Sequence, residues 1–340
     1  MHECFHMEQI ARFSLSRRRM MLGGAAATAV GLLGGGAAFA KAPFLNTQVA
    51  PFYRFKVGAF EATVVSDGPL PMGDPAANFL GASKEELNQM LRDAYLDPRT
   101  APLQQNNLII NTGRKLVLFD SGMGSSRLFG SATGHLLTNM RLAGINPKDI
   151  DAICATHGHI DHIGGIMADN GKSHFPNAQI YMPEVEFKFW TDESKLALAD
   201  PDYMKPFVAA ARKNLLGHGE KVVFIKDGQE FLPGIQAIFT PGHTVGHTIY
   251  MISSEGKSLC NIGDLTHHQV LLMEKPLIEF RFDTDPKQSV QSRVRNLDML
   301  ATTRTALLAY HFPWPGYGHV VKFGEGFHYL PASMDVSEVG

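Results

Sequence analysis

Cysteine is nearly absent: 340 residues hold three, so no disulfide framework holds the fold together. A surplus of positive charge is lacking as well. The chain carries 31 Lys and Arg against 33 Asp and Glu, a formal charge of −2. A protein that neutralises phosphates needs an excess of cations, so this balance argues against a nucleic-acid partner. No glycine-rich phosphate loop follows a strand, and beyond the first forty residues no stretch is apolar enough to span a bilayer. Charged residues make up 19% against 44% hydrophobic ones, which excludes a disordered or low-complexity chain. What the sequence has in abundance is histidine, 15 residues with many clustered.

The first forty residues read as a leader. Arg12, Arg17, Arg18 and Arg19 precede a weakly apolar stretch rich in Ala and Gly, from Met20 to Ala38, which ends in Ala38-Phe39-Ala40. Paired arginines, a mild apolar region and a small-x-small site resemble a twin-arginine export signal, cleaved at about residue 40. A membrane anchor is the alternative, and six glycines within those forty residues weigh against it. Residues 41–340 are then the mature protein, periplasmic or secreted and exported folded, with no membrane contact after cleavage. Removing residues 1–40, with four arginines and two glutamates, leaves 27 basic against 31 acidic residues, a charge of −4, and only Cys154 and Cys260. Both sit in short apolar runs that read as buried strands.

The mature chain reads as one α/β domain. Strands are predicted at Phe52–Val57 and Phe60–Val65 around Gly58, and at Asn107–Asn111 and Leu116–Phe119 around Gly113. Ser83 followed by Glu86 is a capping-box pattern that opens a helix through about Tyr95. Further helices are predicted near Leu136–Ala143, Glu184–Trp190 and Tyr203–Leu216, and from Pro286 to about Leu300. Short buried strands are expected at Asp151–Ala155, Gln179–Met182, Leu259–Ile262 and Ala306–Ala309. No linker run divides residues 50–335 and no short repeat is present. Two sheets packed face to face with helices outside fit this pattern better than a doubly wound sheet.

The densest signal is Thr156-His157-Gly158-His159-Ile160-Asp161-His162-Ile163-Gly164-Gly165. Residues two apart in an extended segment share a face, so His157 and His159 can reach one metal together. Asp161 and His162 lie past the turn and project differently, which suits a second metal. Three more positions share one logic, a ligand-type residue at the end of an apolar strand: His243, Asp264 and His311. Seven donors of the His and Asp type suit two divalent ions such as zinc, with iron or manganese also compatible, and the lack of thiolates disfavours a purely structural site.

Through His157-x-His159-x-Asp161-His162, His243, Asp264 and His311 the chain resembles the metallo-β-lactamase superfamily over about residues 50–335. Segments such as Ser66-Asp67-Gly68, Phe175-Pro176-Asn177-Ala178 and Phe312-Pro313-Trp314-Pro315-Gly316 bring it nearest to the methyl parathion hydrolase group. The resemblance implies an αβ/βα four-layer sandwich, a homodimer, and a binuclear site at one edge of the two sheets. It implies that His157, His159 and His243 hold one metal, that Asp161, His162 and His311 hold the other, and that Asp264 bridges them. Asp120 is then the carboxylate that orients a ligating histidine. Phe129 and Trp190 match positions that line an aromatic substrate pocket, with Tyr203 or Phe207 as the third; plain core packing is the alternative for the first two.

The chain departs from the group at Met123–Arg127, where Arg127 is expected near the pocket rim, and at Thr266-His267-His268, whose histidines read as exposed loop residues, with extra ligands at the site rim as the alternative. His135, His174, His218 and His328 read as surface, and His319 as a neighbour of His311. The activity implied is a metal-dependent hydrolase in which a hydroxide shared by two metals, fixed by Asp161 and Asp264, attacks an uncharged ester, lactone or phosphotriester. An acyl-homoserine lactonase or a β-lactamase is the alternative within hydrolases, and a mono-iron sulfur dioxygenase the alternative from another class.

The leader generates a test of its own. Replacing Arg17, Arg18 and Arg19 by Lys should retain the protein inside the cell as an uncleaved precursor, visible as the larger band on an immunoblot of cell fractions. Normal delivery of that variant would make residues 1–40 a different kind of leader.

Overall fold

The structure, a computed structural model, describes residue 44, residues 49–198 and residues 201–333. The leader read in residues 1–40 lies outside these described residues. From Gln48 onward the chain forms one compact unit. Its first half runs β1 (Phe52–Val57), β2 (Phe60–Ser66), β3 (Phe79–Leu80), α1 (Lys84–Asp93), β4 (Asn106–Asn111), β5 (Leu116–Phe119), α2 (Leu136–Leu142), β6 (Ala152–Cys154), α3 (Ile160–Ile163), β7 (Gln179–Pro183), α4 (Glu184–Thr191), α5 (Met204–Ala211) and β8 (Val222–Ile225). The second half runs β9 (Glu230–Leu232), β10 (Ile235–Phe239), β11 (Thr248–Ser254), β12 (Lys257–Asn261), α6 (Leu271–Glu274), β13 (Glu279–Phe280), α7 (Pro286–Thr303), β14 (Ala306–Leu308), β15 (Tyr317–Phe323) and β16 (Gly326–Pro331).

Two seven-stranded sheets carry the fold, in the orders β1-β2-β4-β5-β6-β7-β8 and β16-β15-β14-β12-β11-β10-β9. The first is antiparallel from β1 to β5 and parallel from β5 to β8. In the second, β12 and β14 are the parallel pair. Side chains alternate across each strand, and both faces of the central strands are buried. Ala62, Val64, Leu108, Ile110, Val117 and Phe119 meet Tyr250, Ile252, Leu259 and Leu308 between the sheets. The alternate residues Val65, Ile109 and Leu118 face outward onto Leu87 and Leu91 of α1 and Met140 of α2. On the far side Ile249, Cys260 and Leu307 pack on Leu297 and Leu300 of α7. Three apolar layers separate four structural ones, which is the expected αβ/βα sandwich. Burial on both faces is also why these strands read as continuous apolar runs rather than alternating ones.

Local chemistry sets the helix ends. Ser83 accepts from the Glu86 amide at the start of α1, and Asp285 accepts from the Gln288 amide ahead of Pro286 at the start of α7. The predicted helix at 203–216 is α5 followed by a π-helical turn, Arg212–Leu216. There the Asn214 side chain turns to accept the Met167 amide. The β15–β16 hairpin carries no signal that was read in the sequence.

Asp67, just past β2, organises the next long loop. Its carboxylate accepts from the amides of Met123 (2.8 Å), Leu136 (2.6 Å) and Gly134 (3.3 Å). Gly122, at φ +68°, passes so close that a Cβ there would sit 2.7 Å from the carboxylate. Burial pushes the Asp67 carboxyl up to about 6 against the pull of these amides. Asp67→Ala would leave the three amides buried and unpartnered, a loss of about 2–4 kcal/mol. It should show as a lower urea midpoint, and a loss under about 1 kcal/mol would mean that the loop finds other acceptors.

Candidate metal centre

The predicted ligands gather at one edge of the sandwich because the strands that carry them end there. β6 runs into Thr156 and His157, β10 into the loop of His243, β12 into Asp264 and β14 into His311. His159 is extended and caps α3, whose four residues include Asp161 and His162. The sequence placed Asp161 and His162 past a turn; that turn is helical. All seven side chains are buried, with 6% or less of the residue exposed.

Their donor atoms converge. His243 Nε2 lies 3.2 Å from His157 Nε2 and 3.0 Å from His159 Nδ1. Asp264 Oδ2 lies 3.2 Å from His243 Nε2, 3.3 Å from His311 Nε2 and 3.7 Å from His157 Nε2, and Oδ1 lies 3.2 Å from His162 Nε2. Asp161 Oδ2 is 3.4 Å from His162 Nε2 and 3.6 Å from His311 Nε2. Three overlapping groups result, His157-His159-His243-Asp264, Asp161-His162-His311 and Asp264-His267-His311, each with its ligand atoms within 4.8 Å of one another. His159 Nε2, His162 Nε2 and Asp264 Oδ1 are buried without a hydrogen-bond partner. Nitrogens aimed at nitrogens cannot all be satisfied by hydrogen bonds, whereas a divalent cation satisfies them together. The residues fit metal ions.

Partners behind the ligands fix their rings. Asp120, at a left-handed φ of 60°, holds His162 Nδ1 at 2.9 Å. The same carboxylate accepts the Thr156 hydroxyl at 2.9 Å, and that oxygen lies 3.0 Å from His157 Nδ1. His311 Nδ1 donates to the Gln104 carbonyl at 2.7 Å. Burial draws His157 and His159 well below the usual imidazole range, leaving the neutral form that ligates. Burial opposes charge on His162 too, but the carboxylates of Asp264, Asp161 and Asp120 outweigh it and raise that ring. Burial likewise opposes ionisation of Asp264, and the imidazoles of His162, His311 and His267 overcome it and hold the carboxyl well below its usual range.

Several residues of the site carried no assignment in the sequence. Asp283 holds His243 Nδ1 at 2.8 Å, with the fully buried Arg293 of α7 3.8 Å behind it. Against burial, Asp264 and Asp283 raise His243 to about 9. His247 accepts the Asp264 amide at 3.0 Å through Nε2 while its Nδ1 faces the Thr240 hydroxyl at 2.8 Å. Buried Glu186 ties two ligand loops together by accepting from Gly158 and Gly246. The pattern Thr244-x-x-His247 was available as a signal; Asp283 and Glu186 had none.

Four histidines depart from their first reading, and His267 takes up the alternative one, beside the ligands. His267 and His268 are buried, not exposed. His267 Nε2 lies 3.1 Å from Asp264 Oδ2 and the ring stacks on Phe280 at 3.8 Å. His268 accepts the amides of Val270 and Leu271. His218 is buried too and bonds the Ala178 carbonyl. His319 lies on β15 opposite Leu330, in a groove away from His311.

His159, Asp161, His243, Asp264 and His311, with His267 beside them, form the floor of a cavity whose walls are Leu70, Met72, Leu103, Phe129, Phe207, Phe280 and Phe282. Phe129 therefore faces the site, and Phe207 rather than Tyr203 is the second wall aromatic. Phe207 and Phe282 are near parallel at 6.1 Å. Trp190 departs from the implied pocket. It has no exposed surface and is absent from the cavity lining. Its ring packs edge-on behind His159 at 4.9 Å. Gly158 makes room for it, since a Cβ there would lie 2.3 Å from the indole. Arg127 bonds back to the Ser126 carbonyl and also stays out of the lining.

The sequence profile of the metallo-beta-lactamase superfamily matches residues 100–312, a span that holds all seven ligands. The N-acyl homoserine lactonase of Bacillus cereus is 27% identical over 144 residues, 42% of this chain and 49% of that protein. The N-acyl homoserine lactonase of Bacillus thuringiensis is 29% identical over 164 residues, 43% of this chain and 57% of that protein. The chain thus spans about half the length of these curated relatives. Among solved structures, AidC, a dizinc quorum-quenching lactonase in complex with a product N-hexnoyl-L-homoserine, aligns with a TM-score of 0.78 and 30% identity, covering 83% of this chain and 97% of that one. The hydrolase AbOPH of the beta lactamase superfamily aligns with a TM-score of 0.78 and 29% identity, covering 85% and 100%.

The position of Trp190 makes a direct forecast. Trp190→Ala should open a void behind His159 and cost about 3–5 kcal/mol of stability, with Trp190→Phe much milder. Denaturant unfolding measures it. A stable Trp190→Ala protein with only a raised KM would instead place the indole in contact with substrate.

Proposed function

The chain belongs to the metallo-β-lactamase superfamily, and we propose that within it the protein is a binuclear, zinc-dependent hydrolase that opens uncharged lactones and esters bearing an apolar chain. One observation carries the reading: five of the seven buried His and Asp ligands, His159, Asp161, His243, Asp264 and His311, line the floor of a cavity walled by four phenylalanines, with no Lys or Arg in its lining. The donors are nitrogen and oxygen only, a set suited to zinc, with iron or manganese compatible. Two divalent ions there supply a lowered water pKa and Lewis-acid polarisation of the substrate carbonyl.

The chain's own residues do the rest. His157, His159 and His243 would hold one ion and Asp161, His162 and His311 the other, with Asp264 in reach of both. Asp120, Asp283, Thr156 and the Gln104 carbonyl keep each imidazole in its ligating orientation. Asp161 and Asp264 both reach the cavity, where they orient the attacking water and relay its proton. With only two carboxylates among the ligands, a pair of divalent ions would keep positive charge to stabilise an oxyanion at the substrate carbonyl. The phenylalanine walls exclude water and bury an acyl chain, each methylene adding about 0.8 kcal/mol when fully covered.

Anionic substrates lack a cationic anchor in this cavity. That disfavours β-lactams, which carry a carboxylate, and phosphodiesters. The tightly oriented second-site His162 disfavours the mono-iron dioxygenase reading. The relatives named as lactonases support a lactone over a phosphotriester; methyl parathion, suggested by the sequence resemblance, is the finer expectation for a side activity.

Elemental analysis of the purified protein should find about two zinc ions per chain, with Asp264→Ala losing more metal than any single histidine variant because it serves both ions. An N-hexanoyl homoserine lactone and an aryl ester should be hydrolysed by the zinc-loaded protein and not by the chelated one. Phe207→Ala should lower kcat/KM about tenfold for the hexanoyl lactone while sparing γ-butyrolactone. One tightly held ion with Asp161→Ala and His162→Ala harmless would remove the binuclear reading. Turnover of only a cephalosporin or a phosphodiester would remove the substrate reading.

A further inference from the structure

At the edge opposite the ligands, where β12 and β14 begin, lies a groove of about 620 Å³ lined in part by Lys56, Lys257, Arg304, His319, Thr305 and Tyr317. Lys257 opens the strand that ends near Asp264, so the groove is roughly 20 Å from the metal centre at about 3.3 Å per strand residue. Its basic residues come from separate elements: Lys56 from β1, Lys257 from β12, Arg304 from the end of α7 and His319 from β15. No carboxylate lines the groove. None of the four is in an ion pair among the described residues. The acids nearest in the chain, Glu61 across from Lys56 and Glu255 before Gly256, lie outside the lining.

We infer that this groove is a second binding site, for a small soluble polyanion carrying two phosphate groups. The chain as a whole is slightly acidic, at −2, so a local concentration of unopposed cations runs against its overall balance. Like charges gathered in a concavity repel one another, and low-dielectric walls focus their field outward on an anion. The partial negative charge at the C-terminal end of α7 amounts to about half an elementary charge, which the Arg304 guanidinium alone exceeds. Arg304 itself caps α7 in the left-handed region, φ 56°, and lines the groove. A planar guanidinium that shares one lining with two lysines suits phosphate oxygens. The volume suits a small metabolite.

Fructose 1,6-bisphosphate serves as the probe, titrated calorimetrically into the zinc-loaded protein at low salt. Saturable binding with a Kd below about 1 mM is expected, weakening as salt is raised. In the Lys56→Gln, Lys257→Gln, Arg304→Gln triple variant, binding should fall at least about tenfold while metal content and lactone turnover stay unchanged. Fructose itself should not bind. Absence of saturable binding, or binding equally strong in the triple variant, would overturn the site. Binding only to phosphatidylglycerol vesicles would overturn the soluble ligand in favour of a lipid headgroup.

Discussion

One buried carboxylate organises this molecule. Asp264, 2% exposed, has five imidazoles within 3.7 Å of its oxygens, those of His157, His162, His243, His267 and His311. A sixth, from His247, holds its backbone amide. Such a density of buried polar groups is tolerable only if charge is neutralised in place. That requirement explains the surrounding shell, in which Asp120, Asp283 and main-chain carbonyls stand behind the rings. It also explains why the ligands arrive on the ends of strands from both sheets. A sheet core packed on both faces does not yield, so the donor atoms keep their spacing even where their mutual proximity is unfavourable.

The ligand set was legible in the sequence because each member follows an apolar strand, a pattern that survives without knowledge of the partners. The strands themselves were legible for the same reason, and the helix starts at Ser83 and Pro286 announced themselves by capping residues. Asp120 was readable as a strand-end carboxylate. Asp283 was not: it meets His243 across forty residues, by a contact that depends on where α7 begins relative to the loop after β10. Glu186 looks like any charged residue in a helix until α4 is laid against two glycine amides.

His267 was misread for a related reason. Its immediate neighbours, Thr266, His268 and Gln269, are polar, which suggests a solvated loop. Burial comes from Phe280 on β13, a residue from a separate two-stranded sheet. Trp190 failed in the opposite direction. Resemblance put it at the substrate, while its neighbour across the site, Gly158, had already made space for it behind His159. Local sequence reports which residue types stand at strand ends; it does not report which side of a ligand a large ring will occupy.

The two cysteines of the folded domain lie in different apolar layers. Cys154 faces the interior between the sheets and Cys260 the layer under α7. Burial raises both thiols, that of Cys260 to about 12, so neither is a thiolate at neutral pH. They can neither meet each other nor reach the metal ligands. The domain's covalent structure is therefore the same on either side of a redox boundary. A domain built this way keeps its ligand geometry whether its surroundings reduce or oxidise, with no disulfide to form, break or repair.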